Sequence, residues 1–379
     1  MKIIELNKLQ KQLVFVMVLF SVFLSNCKDK DVIVNSTTTW VQNQIDTNLR
    51  LKFTTGVRAI LEDSRGDFWF GSHQEGVCLY NGEKLTYFTE EHGLSNNQVR
   101  SIYEDVDGVI WFEGGEGLST YDVRLQSIPD KSIITRLKKS YNSKLDWKAG
   151  PADLWFKGDE AVGYNQKESL PGVYRWDGHQ LSYHTFPIHP NEDEKFYYSV
   201  STPFVKGKNG MFWFGTYGAA IGYNGSSFTI IDDKSLGLND DTGHFHVRNL
   251  FEDSKGNLWI GNNGIGVWLY DGDTTINFSA MHGLVSLDGR GRGGYQSPAG
   301  SLEHVFAIGE DVEGNIWFGD RDTGAWRYDG KTMKNYTPED GLTTFHIWQI
   351  YQTKIGELWF AMGDGAVCRF NGESFDRIL

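Results

Sequence analysis

The chain has 379 residues, 40% of them hydrophobic, enough for one large core or two ordinary ones. Its formal net charge of −13 excludes sequence-independent nucleic-acid binding, which needs a basic surface. Aromatic residues make up 14% and glycines number 44, against only 8 prolines, a balance that suits short strands joined by tight turns.

The first segment predicts a targeting signal. Lys2, Lys8 and Lys11 precede the apolar run LVFVMVLFSVFL (13–24), too short to span a bilayer comfortably and of the right length for a signal core. The following LSNC (24–27) resembles a bacterial lipobox, which makes Cys27 the expected lipidated first residue of the mature chain. Asn26 stands where a small residue is usual, and an ordinary cleaved signal is the alternative. Loss of residues 1–26 removes three Lys and one Glu and takes the charge to −15. Residues 27–50 are polar, with a Ser/Thr-rich centre, and predict a tether. The Lys–acid run after Cys27 resembles the surface-export signal of Bacteroidota lipoproteins. These features predict an outer-membrane lipoprotein of the cell envelope, periplasmic or surface-facing, that meets the membrane only through its lipid.

From residue 51 onward the chain repeats. Trp69, Trp111, Trp155, Trp213, Trp259, Trp317 and Trp359 lie in the words FWFGS, IWFEG, LWFKG, FWFGT, LWIGN, IWFGD and LWFAM, spaced by 42, 44, 58, 46, 58 and 42 residues. Each unit predicts four strands. Strand a is VRAILED, VRSIYED, VRNLFED, VFAIGED or IWQIYQT. Strand b carries the Trp, strand c is of the GVWLYD type, and strand d follows an Asn-Gly or Asp-Gly dipeptide. Those dipeptides, Asn81-Gly82, Asp177-Gly178, Asn224-Gly225, Asp271-Gly272, Asp329-Gly330 and Asn371-Gly372, predict two-residue hairpins. The third unit lacks a strand-a pattern, and the second lacks the dipeptide after Tyr121. Seven units of this length predict an all-β fold, a seven-bladed β-propeller over 51–379 whose tryptophans pack between blades. Cys78 and Cys368 hold equivalent places in blades 1 and 7, about 10 Å apart if the ring closes. They are therefore expected to be buried free thiols.

The pattern V-x-x-I-x-E-D-x-x-G-x-[LI]-W-[FI]-G, with D-G-L between units, resembles the two-component regulator propeller repeat. That resemblance implies an extracytoplasmic sensor region, often one that responds to glycans. No immunoglobulin-like, membrane or kinase sequence follows the seventh unit here, so only the binding half of the role is expected to carry over, with any sensor kinase a separate protein.

In a propeller the a–b and c–d turns share one face, and the b–c and d–a loops share the other, around the channel mouth. The long insertions 157–171, 188–203 and 286–303 fall on the second face, and 130–144 joins blades 2 and 3. Ligand-binding residues are expected there. They are Arg290, Arg292 and Tyr295 in the Gly-rich loop, His244, His246, His304 and His346 before strand a, and His73, Glu75, Glu113, Tyr217, Asn262, Arg321 and Asp322 in b–c loops. Glu116, Asn263, Asp159, Glu160 and Asp364 accompany them. Guanidinium forks suit carboxylate or sulfate. The turn acids Asp63, Asp105, Asp107, Asp253 and Asp311 lie on the other face and are expected to accept turn amides rather than to bind calcium. No cofactor or metal site is expected. The partner is expected to be a glycan or an envelope protein. By analogy with propeller uronate lyases, the alternative is catalysis with His246 or His304 as base, Tyr217 or Tyr295 as acid and Arg290 neutralising the substrate carboxylate.

Overall fold

The computed structural model describes residues 49–115, 117–127, 133–137, 147–157, 171–190, 194–285 and 294–379. The predicted lipidation site and tether, and Arg290, Arg292, Glu116, Asp159 and Glu160, lie outside them. Among the described residues no helix is long and apolar enough to cross a membrane.

Seven antiparallel sheets follow one another along the chain, each paired in sequence order. Blade 1 consists of Val57–Glu62, Phe68–Ser72, Val77–Tyr80 and Leu85–Phe88. Strand a recurs as Val99–Glu104, Val247–Glu252, Val305–Glu310 and Ile347–Gln352 in blades 2, 5, 6 and 7. Blade 4 keeps only Val205–Lys206 for it. Blade 3 has three described strands, Leu154–Lys157, Gly172–Trp176 and Leu181–Thr185, as its missing pattern predicted.

Seven apolar layers fill the seven gaps between blades, and each repeat tryptophan sits in the layer it shares with the next blade. The layer containing Trp359, Val367, Phe70 and Cys78 closes blade 7 on blade 1. Polar bonds close it too: the Ile60 amide donates to Gln349 Oε1 (2.5 Å), and the Glu62 amide donates to the Tyr351 hydroxyl (2.9 Å). Cys78 and Cys368 are buried free thiols in successive layers. Burial pushes the Cys78 thiol up to about 12, which leaves it unreactive.

The turn acids do more than accept turn amides. Asp253 Oδ1 takes the amides of Lys255 and Asn257, both at 2.9 Å, while Oδ2 takes the Trp259 indole N–H at 2.9 Å. Asp63, Asp105 and Asp311 bond Trp69, Trp111 and Trp317 in the same way. The adjacent glutamate reaches back to the preceding blade's turn, as Glu104 does to Ser64 and Glu310 to Ser254. In blade 3, Asp153 pairs instead with Arg175, and the Trp155 indole has no acceptor among the described residues.

Two local expectations are corrected. The Asn-Gly and Asp-Gly connections are four-residue loops, not two-residue hairpins. Strand c ends at Tyr80 and strand d begins at Leu85, and Asn81 Oδ1 accepts the amides of Glu83 and Lys84. Asp271 and Asp329 do the same for the residues two and three positions on, so only the glycine adopts positive φ. The segment predicted to join blades 2 and 3 contains a strand, because Ile134–Leu137 pairs with Leu118–Tyr121 as strand d of blade 2.

Candidate functional site

In every well-formed strand a the register to strand b slips after its first residue, between Val57 and Ala59, Val99 and Ser101, Val247 and Asn249, Val305 and Ala307, and Ile347 and Gln349. One extra residue is thereby left out of the ladder, a bulge that re-aims its side chain. The bulged residues are Arg58, Arg100, Arg248, Phe306 and Trp348. All five line one cavity of about 160 Å³ in the channel, between the innermost strands. This is the candidate feature the sequence reading missed. Its signal was the V-R dipeptide opening three strands, but the bulge that gives it meaning is invisible in sequence.

Four of the bulged residues, Arg58, Trp348, Phe306 and Arg248, join His73, His346, His246 and Tyr217 in a belt of rings and guanidinium groups across blades 1, 7, 6, 5 and 4. Arg58 lies 4.1 Å over the Trp348 ring and 3.1 Å from His73 Nδ1. Trp348 meets His346 at 4.1 Å and Phe306 at 5.4 Å between ring centroids. Arg248 lies 5.2 Å from the Phe306 ring and 5.4 Å from the Tyr217 ring. Tyr217 in turn meets His246 at 5.2 Å and stacks on Phe196 at 4.8 Å. Burial, with the charges of Arg321 and Arg58 behind it, pushes His346 down to about 4, so it is neutral at pH 7. Burial and the Arg58 and Arg100 charges lower His73 likewise.

A second cluster lies at blade 6. His304 is wholly buried, its Nδ1 2.9 Å from Asp322, 2.7 Å from Ser297 Oγ and 3.0 Å from Arg321 Nη2. Although burial opposes its charge, Asp322 is held well below the usual carboxylate range by the Arg321 guanidinium, the Ser297 amide and His304. Tyr295 packs its ring 4.7 Å from His304 and donates its hydroxyl to Gly264 O (3.0 Å). Asn263 approaches both clusters, at 3.3 Å from His246 Nδ1 and 3.5 Å from Arg321 Nη1. Beneath, buried Asp320 accepts four backbone amides. Burial nevertheless pushes its carboxyl up to about 7.

Other predicted residues are occupied by structural bonds. His244 sits between Asp233 and Asp240, each 2.8 Å away. Glu75 accepts the amides of Thr54 and Thr55; these overcome the burial that opposes its charge and lower its carboxyl. Asn262 takes the His246 amide at 3.1 Å. Asn262 and Glu113 belong to strand b, not to b–c loops as predicted. Glu113 stands where blades 1, 5 and 6 have Gly71, Gly261 and Gly319. At Gly71 an added Cβ would meet Val99 of the next strand a at 2.8 Å. Strand b of blade 2 faces no described strand a in blade 3, so a glutamate fits; its Oε1 accepts the Lys157 amide at 2.6 Å.

The chain matches the model of the two component regulator propeller at residues 53–74, 93–112 and 244–264, segments that hold strands a and b of blades 1, 2 and 5. Histidine kinase P4 of Formosa agariphila is 30% identical over 174 residues, 44% of this chain and 12% of that protein. The extracellular domain of the putative hybrid two component system BT4673 from B. thetaiotaomicron aligns with a TM-score of 0.56 at 18% identity, over 86% of this chain and 39% of that one. A streptogramin B lyase aligns with a TM-score of 0.57 at 14% identity, over 86% and 96%. At these identities the solved structures establish the fold alone.

Proposed function

Since the chain is a seven-bladed β-propeller carrying two-component regulator propeller repeats, we propose that it is an extracytoplasmic, sensor-like ligand-binding propeller. It is held in the cell envelope by a lipid on Cys27, binds a glycan or an envelope protein at the channel mouth, and informs a separate sensor kinase. The observation that carries this reading is the gathering of Arg58, Trp348, His346, Arg248, Tyr217 and His246 at one mouth of a rigid ring. Polar groups converging on aromatic walls are the usual composition of a small-ligand site.

The lyase alternative retains one pair, His246 beside Tyr217. His304 supports it less, since its side chain is buried against Asp322.

The test is thermal denaturation of the full-length protein in neutral detergent, with neutral, uronate-containing and sulfated glycans. A ligand that binds only the folded state raises Tm. A rise with one glycan class is expected, and formation of unsaturated sugar ends in that mixture would convert the reading to a lyase. No rise with any glycan, in folded protein, leaves an envelope protein as the ligand.

A further inference from the structure

The bulged position differs from its surroundings in charge. Among the described residues the channel cavity is lined by the cations Arg58, Arg100, Arg248 and Lys157 and by the carboxylate of Glu113, on a chain whose formal charge is −13. Glu113 is itself buried and accepts the Lys157 amide, so its charge is not spread over the three arginines alone. Burial lowers the Arg248 guanidinium, with smaller contributions from the charges of Arg100 and Arg321 and against support from Tyr217. A propeller core does not require this: the same position is Phe306 in blade 6 and Trp348 in blade 7, and the ladder there is the same.

Two of the arginines are also oriented. Arg58 lies over Trp348 and Arg248 over Phe306 and Tyr217. A guanidinium held by its face is constrained in the plane where its N–H donors lie. Oriented forks around a small cavity are suited to a planar or tetrahedral oxyanion.

We propose that Arg58, Arg100 and Arg248 form an oxyanion subsite inside the channel, which receives the carboxylate or sulfate of an acidic glycan end. The glycan part rests on the ligand-binding reading above; the oxyanion part rests on the bulged arginines. A cavity of about 160 Å³ admits one such end group and not the body of a polymer. The Gly-rich loop with Arg290 and Arg292 is then not the principal anion contact.

The experiment is calorimetric titration of the full-length protein, in neutral detergent and a low-salt buffer free of sulfate and phosphate, with glucuronate, glucose 6-sulfate, glucose and inorganic sulfate. One of the two acidic sugars is expected to bind at least about tenfold more tightly than glucose, and the better of them identifies the oxyanion. Kd should rise at least about tenfold in Arg58→Gln and Arg248→Gln and stay unchanged in Arg290→Ala/Arg292→Ala. Arg248→Lys keeps the charge without the fork, should also weaken binding, and serves where the glutamine variant does not fold. Acidic-sugar binding lost only in the loop double variant would overturn the channel subsite and leave the ligand-binding reading standing. Inorganic sulfate binding as tightly as either sugar would overturn the glycan part. No binding of any anion would overturn the subsite outright, whatever a protein partner later shows.

Discussion

The two faces of this propeller use one backbone in opposite ways. On the a–b turn face, blades 1, 2, 5 and 6 repeat the same solution: an aspartate takes its turn amides with one oxygen and its tryptophan with the other. At the channel mouth the backbone repeats equally well, bulge included, but its side chain changes from Arg to Phe to Trp. Where both backbone and side chain recur, the residue serves the blade. Where the backbone recurs and the side chain does not, the residue is released from folding and available for recognition.

Substitutions on the two faces should break this contrast in order of size. The largest effect is expected from Trp317→Ala, which empties a fully buried ring from the layer between blades 6 and 7. It should cost about 3–5 kcal/mol, read as a drop in the denaturation midpoint. Asp253→Ala should cost about 1–3 kcal/mol, because the Trp259 indole and two turn amides lose their acceptor. The sharper comparison is with blade 3, whose Trp155 indole has no described acceptor to lose.

The channel side should respond to pH. His346 is depressed to about 4 in the fold from 6.5, so its neutral form favours the folded state above 6.5 and that stability is lost as pH falls toward 4. Replacing it by Phe should flatten the fall in Tm between pH 7 and 5; an unchanged slope would assign the acid sensitivity elsewhere. Asp320 acts in the opposite sense. Its carboxyl is raised from 3.8 to about 7, so its contribution is present at low pH and is lost as pH rises through 7. Asn262 holds the corresponding place in blade 5 and accepts the equivalent amide. Asp320→Asn leaves two of the four amides without an acceptor and should lower Tm, but by less at pH 8 than at pH 5, because the wild-type carboxyl is favoured only while protonated. The smallest effect is that of Arg248→Gln without ligand. Removing a repelled, partly buried charge should leave Tm unchanged or slightly raised, whereas a marked loss would make Arg248 a folding residue and erase the distinction between the faces.

Much of this was legible beforehand. The seven tryptophans, their spacing and the degenerate third unit predicted blade number, ring closure and two unpaired thiols, because packing between blades constrains every repeat in the same way. Which of the candidate histidines meet was not legible: His244 is enclosed by Asp233 and Asp240, and His304 by Ser297 and Asp322, while His246 and His346 join the belt. Partners such as Asp322 and Arg321 come from strands and loops apart in sequence, and spacing along one chain does not reveal them. The hairpin expectation failed for a local reason, since an Asn or Asp side chain can cap a longer loop as readily as it can adopt positive φ.

By itself, the sequence determined the architecture, since apolar periodicity and turn chemistry act over a few residues and recur seven times. Only the tertiary structure decided the proposed subsite. One extra residue in each of their strands turns Arg58, Arg100 and Arg248 from alternating strand positions into neighbours around a single cavity. That convergence is a property of the closed ring, and no one repeat contains it.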